Sequence, residues 1–306
     1  MTCIFLVWCF LYRTNNREPE VGGYFLAATG FKKFGYTELQ KATLGFTEEI
    51  GREIGRGAGG VVYKGLLSDG RVAAIKRLKE ANQGEAEFLA EVSTIGRLNH
   101  MNLIEMWGYC AEGRHRLLVY EYLMHGSLAE NLSSKALKCD QLFETAVGTG
   151  KGLAYLHEEC LEWILHCGLN NSSFSRIRGT RGYMAPEWVY NLPITSKVDV
   201  YGYGILLLEM VTGKSPIATF QTVDFEGVGE HGTPVTSVRQ KKNGRAKGEG
   251  WIEEIVDPSF DCNYDKNNME IMVRVGLQCV EEDRNVRPSM NQVLEMLCKE
   301  GEHDKM

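Results

Sequence analysis

Residues 55–62 read G-R-G-A-G-G-V-V, and residues 73–76 read A-A-I-K. Gly55, Gly57 and Gly60 stand in the spacing G-x-G-x-x-G-x-V, which lets a strand, a turn and a second strand lie close over phosphate groups because no Cβ stands in the way. A Gly-rich turn alone is often only a turn. The residues after it decide the matter: Ser68-Asp69-Gly70 is a hairpin signal between two β-rich runs, Val61 to Leu67 and Val72 to Leu78, so Lys76 falls on the strand after the one that the glycines open. Its ammonium is then placed to reach the α- and β-phosphates of a nucleotide.

Downstream, F-L-A-E-V-S-T-I (88–95) carries Phe88, Val92 and Ile95 on one helical face, with Glu91 between them in sequence. L-L-V-Y-E-Y-L (117–123) reads as a buried strand running into a hinge. Further on stand G-T-R-G-Y-M-A-P-E-W (179–188), D-V-Y-G-Y-G (199–204) and R-P-S-M (287–290). These six landmarks, in this order, resemble a protein kinase. The resemblance implies that Glu91 is the helix glutamate that pairs with Lys76, that residues 179–188 end an activation segment, and that Arg287 pairs with Glu187. The wording is closer still to plant receptor-like Ser/Thr kinases of the lectin type: Y-T-E-L-Q-K-A-T-L-G-F (36–46), V-V-Y-K-G, L-N-H-M-N-L-I, L-V-Y-E-Y, H-G-S-L and G-L-A-Y-L-H-E-E-C are similar to that branch across about residues 34–299. The implied fold is α+β and two-lobed, with a β-rich N-lobe and an α-helical C-lobe. ATP with Mg²⁺ and Ser/Thr substrates are implied with it. Carried onto this chain, the catalytic positions are Lys76 and Glu91, and the nucleotide-binding positions are Ile54, Gly55, Gly57, Gly60, Val62, Ala74, Lys76, Glu121 and Leu123.

One interval departs from the pattern. Between His166 and Ala185 the chain holds no aspartate, whereas the family places two there, one accepting the substrate hydroxyl's proton and one holding Mg²⁺. His166-Cys167 matches the opening of the catalytic loop, but Gly168 occupies the place of the catalytic Asp, and only L-N-N-S-S-F-S-R-I-R stands between it and Gly179. This is an internal deletion in the C-lobe. It removes the proton acceptor, the metal ligands and the floor under the adenine. Asn170 and Asn171 are neutral oxygen donors and poor replacements for carboxylates around a hard divalent cation, so no metal site is assigned. Phosphoryl transfer depends on positioning and charge neutralisation, and loss of metal and base together should abolish turnover. Three readings stay open: a pseudokinase or decoy that binds partners, an active kinase whose intact form contains the missing block, and a fragment too damaged to fold.

The rest of the composition is ordinary for a soluble chain: 306 residues, 43% hydrophobic, formal charge −6. The acidic balance argues against a nucleic-acid partner. Nine cysteines without a C-x-x-C pair read as reduced cytosolic thiols, with neither a disulfide framework nor zinc. Residues 1–12 are almost wholly apolar and are followed by Arg13 and Arg17; about 18 Å of helix is too short for roughly 30 Å of hydrocarbon. They read as the inner part of a truncated transmembrane helix, with an unanchored apolar tail as the alternative. Residues 13–46 read as a juxtamembrane linker holding a short helix with a capping box at Thr37 and Gln40. The kinase-like domain is expected over 47–300, with the N-lobe at about 47–120, the C-lobe at about 121–300 and a tail at 301–306. Long helices are predicted over 143–159, 196–211, 269–280 and 290–297, the last with a capping box at Ser289 and Gln292, and 227–250 is predicted to be a basic surface loop. Expected partners are related membrane receptor kinases or their substrates, with the domain on the cytoplasmic side of a membrane.

Overall fold

The computed structural model describes residues 31–46, 53–57, 60–78, 88–89, 92, 95–96, 98–134, 137–158, 182–190, 192–216, 234–243, 250–260 and 264–299. They divide into two compact units, one ending at Leu128 and one beginning at Ala129. Tyr122, beyond the last strand, still packs on the sheet of the first unit.

The first unit contains β1 (Lys32–Lys33), α1 (Tyr36–Ala42), β2 (Glu53–Gly57), β3 (Gly60–Leu66), β4 (Val72–Leu78), β5 (Met106–Glu112) and β6 (His115–Glu121). They form one six-stranded sheet in the order β1-β5-β6-β4-β3-β2. β1 runs parallel to β5, and every other pairing is antiparallel. Side chains alternate across a strand, so the sheet carries two apolar faces. Val61, Tyr63, Ala73, Ile75, Leu117 and Val119 look one way. Val62, Ala74, Leu118 and Tyr120 look the other, where Phe88, Val92 and Ile95 cover them. Phe88, Leu89, Val92 and Ile95 are helical, as their spacing predicts.

The first of these faces is covered by chain that the sequence assigns to a linker. Phe34, Leu39, Ala42 and Phe46 are buried there, each large apolar side chain contributing about 1.5–3 kcal/mol on burial. Residues 32–46 form a strap over the sheet. At Gly108 the strap passes so close that a Cβ would collide with the Lys32 carbonyl, which is why β1 can pair with β5 there. The capping box at Thr37 and Gln40 does not form. Gly35 is the N-cap and offers no side chain, so Thr37 falls inside the first turn; the Tyr36 N–H donates instead to the Glu112 carboxylate at 2.9 Å. The Tyr36 ring stacks on His115 with centroids 3.6 Å apart. A tertiary carboxylate has replaced the local cap.

The second unit is helical: α2 (Leu128–Ser133, its first residue closing the first unit), α3 (Cys139–Glu158), α4 (Pro186–Val189), α5 (Lys197–Thr212), α6 (Pro234–Asn243), α7 (Lys266–Cys279) and α8 (Met290–Lys299). α5 is apolar nearly all round and buried along most of its length, as expected of a helix at the centre of a bundle. α7 lies against it so closely that a Cβ on Gly204 would meet the Gly276 carbonyl and the Cys279 side chain. α3 buries Ala146, Leu153 and Leu156, and its Ala146 carbonyl accepts from the Tyr203 hydroxyl of α5 at 2.8 Å. The capping box on α8 forms in both directions: the Ser289 N–H donates to Gln292 Oε1 at 2.8 Å, and the Gln292 N–H donates to Ser289 Oγ at 3.3 Å. The expectation of a loop over 227–250 is corrected in its middle, where α6 stands. Pro234 opens it and Val238 buries one point of it. Of its basic residues, Arg239 donates to Glu281 and Lys241 to the Glu254 carbonyl, and Lys242 lies over Trp251. These three residues tie α6 to neighbouring segments of its own unit.

Candidate functional site

The predicted nucleotide-binding positions that the structure describes all lie in the first unit. Gly55 and Gly57 stand on β2 and Gly60 opens β3, with Gly57 paired to Gly60. Gly60 has φ +151°, and a Cβ there would strike the Arg77 carbonyl, so this hairpin requires glycine at that point. Lys76 sits mid-strand on β4, paired with Val62 on β3 and Leu118 on β6. It is only 5% exposed. Period-2 alternation puts it on the same face as Ala74, where Val62, Ala74 and Ile54 pack in one apolar cluster with Phe88, Val92 and Ile95. The strands therefore bring Ile54, Val62, Ala74 and Lys76 onto one face, under the hairpin that carries Gly55, Gly57 and Gly60. Glu91 lies outside the described residues.

Glu121 ends β6. Its N–H donates to the Glu105 carbonyl at 3.0 Å and its carboxylate accepts the Glu105 N–H at 3.3 Å. This double contact pins the start of the hinge to the sheet. Leu123 beyond it is exposed.

In the second unit three of the expected landmarks are joined by polar contacts. Arg287 donates to both oxygens of Glu187, Nη1 at 2.7 Å and Nη2 at 3.1 Å. Its remaining donors reach the carbonyls of Glu281, Lys197 and Glu282, so a guanidinium that is almost wholly buried is saturated. Lys197 Nζ in turn donates to the Arg287 and Pro288 carbonyls, and burial holds its pKa below the usual lysine range, with Arg287 adding repulsion. Asp199 at the start of α5 faces His157 at the end of α3, Nε2 to Oδ2, 3.0 Å apart.

Two contacts here were not read from the sequence. The Tyr183 hydroxyl donates to the carboxylate of Glu209, which is buried in the last turn of α5. Burial raises the Glu209 carboxyl above the ordinary glutamate range while the bonds from Tyr183 and Ser215 oppose the shift; burial and then the Glu209 charge raise the Tyr183 phenol. A glutamate inside an apolar helix run, G-I-L-L-L-E-M-V, was the available signal, since a buried carboxylate calls for a partner. The His157–Asp199 pair carried no comparable signal.

The carboxylates of this region are thus committed: Glu187 to Arg287, Glu209 to Tyr183, and Asp199 to His157. Among the described residues no group of three His, Cys, Asp or Glu side chains is placed to hold a metal ion. His166, Gly168, Asn170 and Asn171 lie outside the described residues.

A family model described as the protein kinase domain matches residues 48–172 and, as a separate match, residues 165–297. The chain belongs to the protein kinase family. The two matches meet where the aspartates are missing. Among relatives, the G-type lectin S-receptor-like serine/threonine-protein kinase SD2-2 of Arabidopsis thaliana is 36% identical over 317 positions, covering 93% of this chain and 38% of that protein. LECRK4 of Oryza sativa subsp. japonica, of the same description, is 37% identical over 297 positions, covering 87% of this chain and 35% of that protein. The chain therefore spans less than half the length of these relatives. The 317 aligned positions outnumber the chain's 306 residues, so SD2-2 has residues within the alignment that this chain lacks. A solved structure, the pseudokinase domain of BIR2, an immune regulator of the RLK/Pelle family, matches with a TM-score of 0.71 at 28% identity over 88% of this chain and 87% of that one. The α+β fold of the kinase family, with its sheet unit and helical unit, stands on these comparisons and on the architecture above.

Proposed function

We propose that this chain is a catalytically inactive kinase-like module that works by binding protein partners, with related receptor kinases or their substrates as the partners. The observation that carries this reading is the missing pair of aspartates, at the break between the two family matches. The surroundings of the break support a retained fold: the bundle of the second unit is closed by Arg287–Glu187, Tyr183–Glu209 and Tyr203–Ala146 on one side of the gap or across it. A scaffold in this condition keeps its surface and loses its chemistry. The pseudokinase description of the BIR2 domain is consistent with such a role.

The nucleotide half of the site supports weak ATP contact. The Gly-rich hairpin, Lys76 and the apolar wall of Ile54, Val62 and Ala74 remain, while the Mg²⁺ ligands of the family have no counterpart in the sequence between His166 and Ala185. Binding should be weak and indifferent to Mg²⁺. Calorimetric titration of ATP with and without Mg²⁺ tests this, and strongly Mg²⁺-dependent micromolar binding would overturn it. Membrane association through residues 1–12 belongs to the same proposal, by analogy with the receptor-like relatives; among the described residues no helix is long and apolar enough to cross a membrane.

The test of inactivity is transfer of labelled γ-phosphate by the full chain to itself and to a generic Ser/Thr substrate. None is expected. Transfer that disappears in Lys76→Ala would refute the reading. A second reading rests on the same clean break: both flanks match the family, so an intact form containing the block would be an active Ser/Thr kinase. Sequencing the transcript across codons 160–180 separates the two. Restoring the block should restore turnover and make it depend on Lys76.

A further inference from the structure

Among the described residues of the second unit, the large apolar side chains that stay exposed are Tyr190, Leu192 and Val286, at 72%, 48% and 64%. Tyr190 and Leu192 follow α4, and Val286 stands between α7 and α8. The two loops are joined: Arg284 Nη1 donates to the Pro193 carbonyl at 2.6 Å, and Arg287, next to Val286, holds both oxygens of Glu187. Each loop is also fixed from within. The Tyr190 N–H donates to the Pro186 carbonyl and the Leu192 N–H to the Glu187 carbonyl, both at 3.0 Å, and the Val286 N–H donates to the Asp283 carbonyl at 3.1 Å.

A single exposed apolar side chain is ordinary. Three on two loops that hydrogen bonds tie together are a patch, and patches of this kind mark interaction surfaces. Their fixed backbone reduces the ordering that binding costs. The rim selects the occupant. Glu282 and Asp283 are exposed beside Val286, and Asp283 is held in place because its Oδ1 accepts the Asn285 N–H at 2.9 Å. Arg284, the cation of the same turn, is directed to the Pro193 carbonyl. Apolar surface bordered by two acids favours an apolar side chain flanked by lysine or arginine, and it disfavours an acidic segment or an anionic bilayer. We propose that Tyr190, Leu192 and Val286, with Glu282 and Asp283 as their rim, form a docking surface for a basic, apolar segment of a protein partner. The inference rests on the reading of this chain as a binding module and adds the chemistry that the module recognises.

The experiment titrates the full chain with two short peptides, one alternating leucine with lysine and one alternating leucine with glutamate, while the methyl resonances of Leu192 and Val286 are followed. The lysine peptide should shift both resonances to saturation, and the glutamate peptide should shift neither. Leu192→Ser with Val286→Ser, both at exposed positions, should weaken the lysine peptide about tenfold. Glu282→Lys with Asp283→Asn, which keeps the oxygen that holds the turn, should reverse the preference between the peptides. Methyl resonances that ignore the lysine peptide overturn the surface, and so does equal binding of the two peptides before and after the charge exchange. A response to vesicles of phosphatidylcholine and phosphatidylserine in place of the peptide, or to rising concentration of the chain alone, would make it a lipid surface or a self-interface and overturns the proposal. Phosphate transfer measured on the same preparation bears on inactivity alone, so failure of that reading and failure of the surface are read separately.

Discussion

Among the described residues two arginines are buried, under opposite conditions. Arg287 in the helical unit meets a carboxylate through two parallel bonds and fills its other donors with three carbonyls. Arg116 in the sheet unit has two carbonyls on one nitrogen, an aromatic ring below it and nothing on its remaining edge among the described residues. Burial alone therefore says little about the role of a charged side chain. The state of its donors says more: Arg287 is saturated and closes the bundle of its unit, whereas the buried Nε of Arg116 finds no acceptor among the described residues.

The contrast is tested first at Arg287. Arg287→Met leaves the Glu187 carboxylate buried without its partner and should destabilise the second unit by about 3–5 kcal/mol, read as a lower denaturant midpoint with an unchanged slope. A loss below about 1 kcal/mol would mean that the pair is less enclosed than the structure shows. Next in size is the strap. Phe34→Ala opens a cavity on the covered face of the sheet and should cost about 3–5 kcal/mol in the first unit at most, with hydrogen exchange rising in β5 and β6 and unchanged in α5 and α7. Equal exchange gains in α5 and α7 would show that the strap does not act through the sheet that it covers.

The same comparison predicts a small effect at Arg116. Arg116→Met, which gives up two carbonyl bonds from one nitrogen and no described ion pair, should cost about 1–2 kcal/mol, read from the denaturant midpoint; a loss as large as that of Arg287→Met would erase the difference between the two arginines. The smallest effect concerns Glu209, a buried acid with partners of its own. Its folded pKa is raised by burial, so its contribution to stability is fully present below the ordinary glutamate range and is lost as pH rises through the raised value. Glu209→Gln, which can still bond Tyr183, should flatten that decline, so that the variant gains on wild type as pH rises from acid toward neutral. A wild-type curve parallel to that of the Gln variant over this range would show that Glu209 titrates alike in the folded and unfolded chains.

The places of the glycines and of Lys76 on the strands were legible in the sequence. Gly55, Gly57, Gly60 and Lys76 are tied to a hairpin by local turn chemistry, and local signals of that kind survive in sequence. Helices α3, α5, α7 and α8 were readable within a few residues for the same reason: apolar spacing repeats along each. α6 was missed because its flanks are polar and Gly-rich and its two buried residues, Pro234 and Val238, make too weak a period.

The family, the Lys76 strand and the absence of the two aspartates were settled by the order of residues alone, since each depends on which residue stands at a position in a local pattern. The roles of Glu112, Glu209 and the strap were settled by the folded arrangement. Glu112 caps a helix 76 positions away along the chain, and Tyr183 reaches Glu209 across 26. Such contacts leave no periodic trace, because the partner of a buried polar group is chosen by where the folded chain brings an acceptor within about 3 Å, and not by its neighbours in sequence.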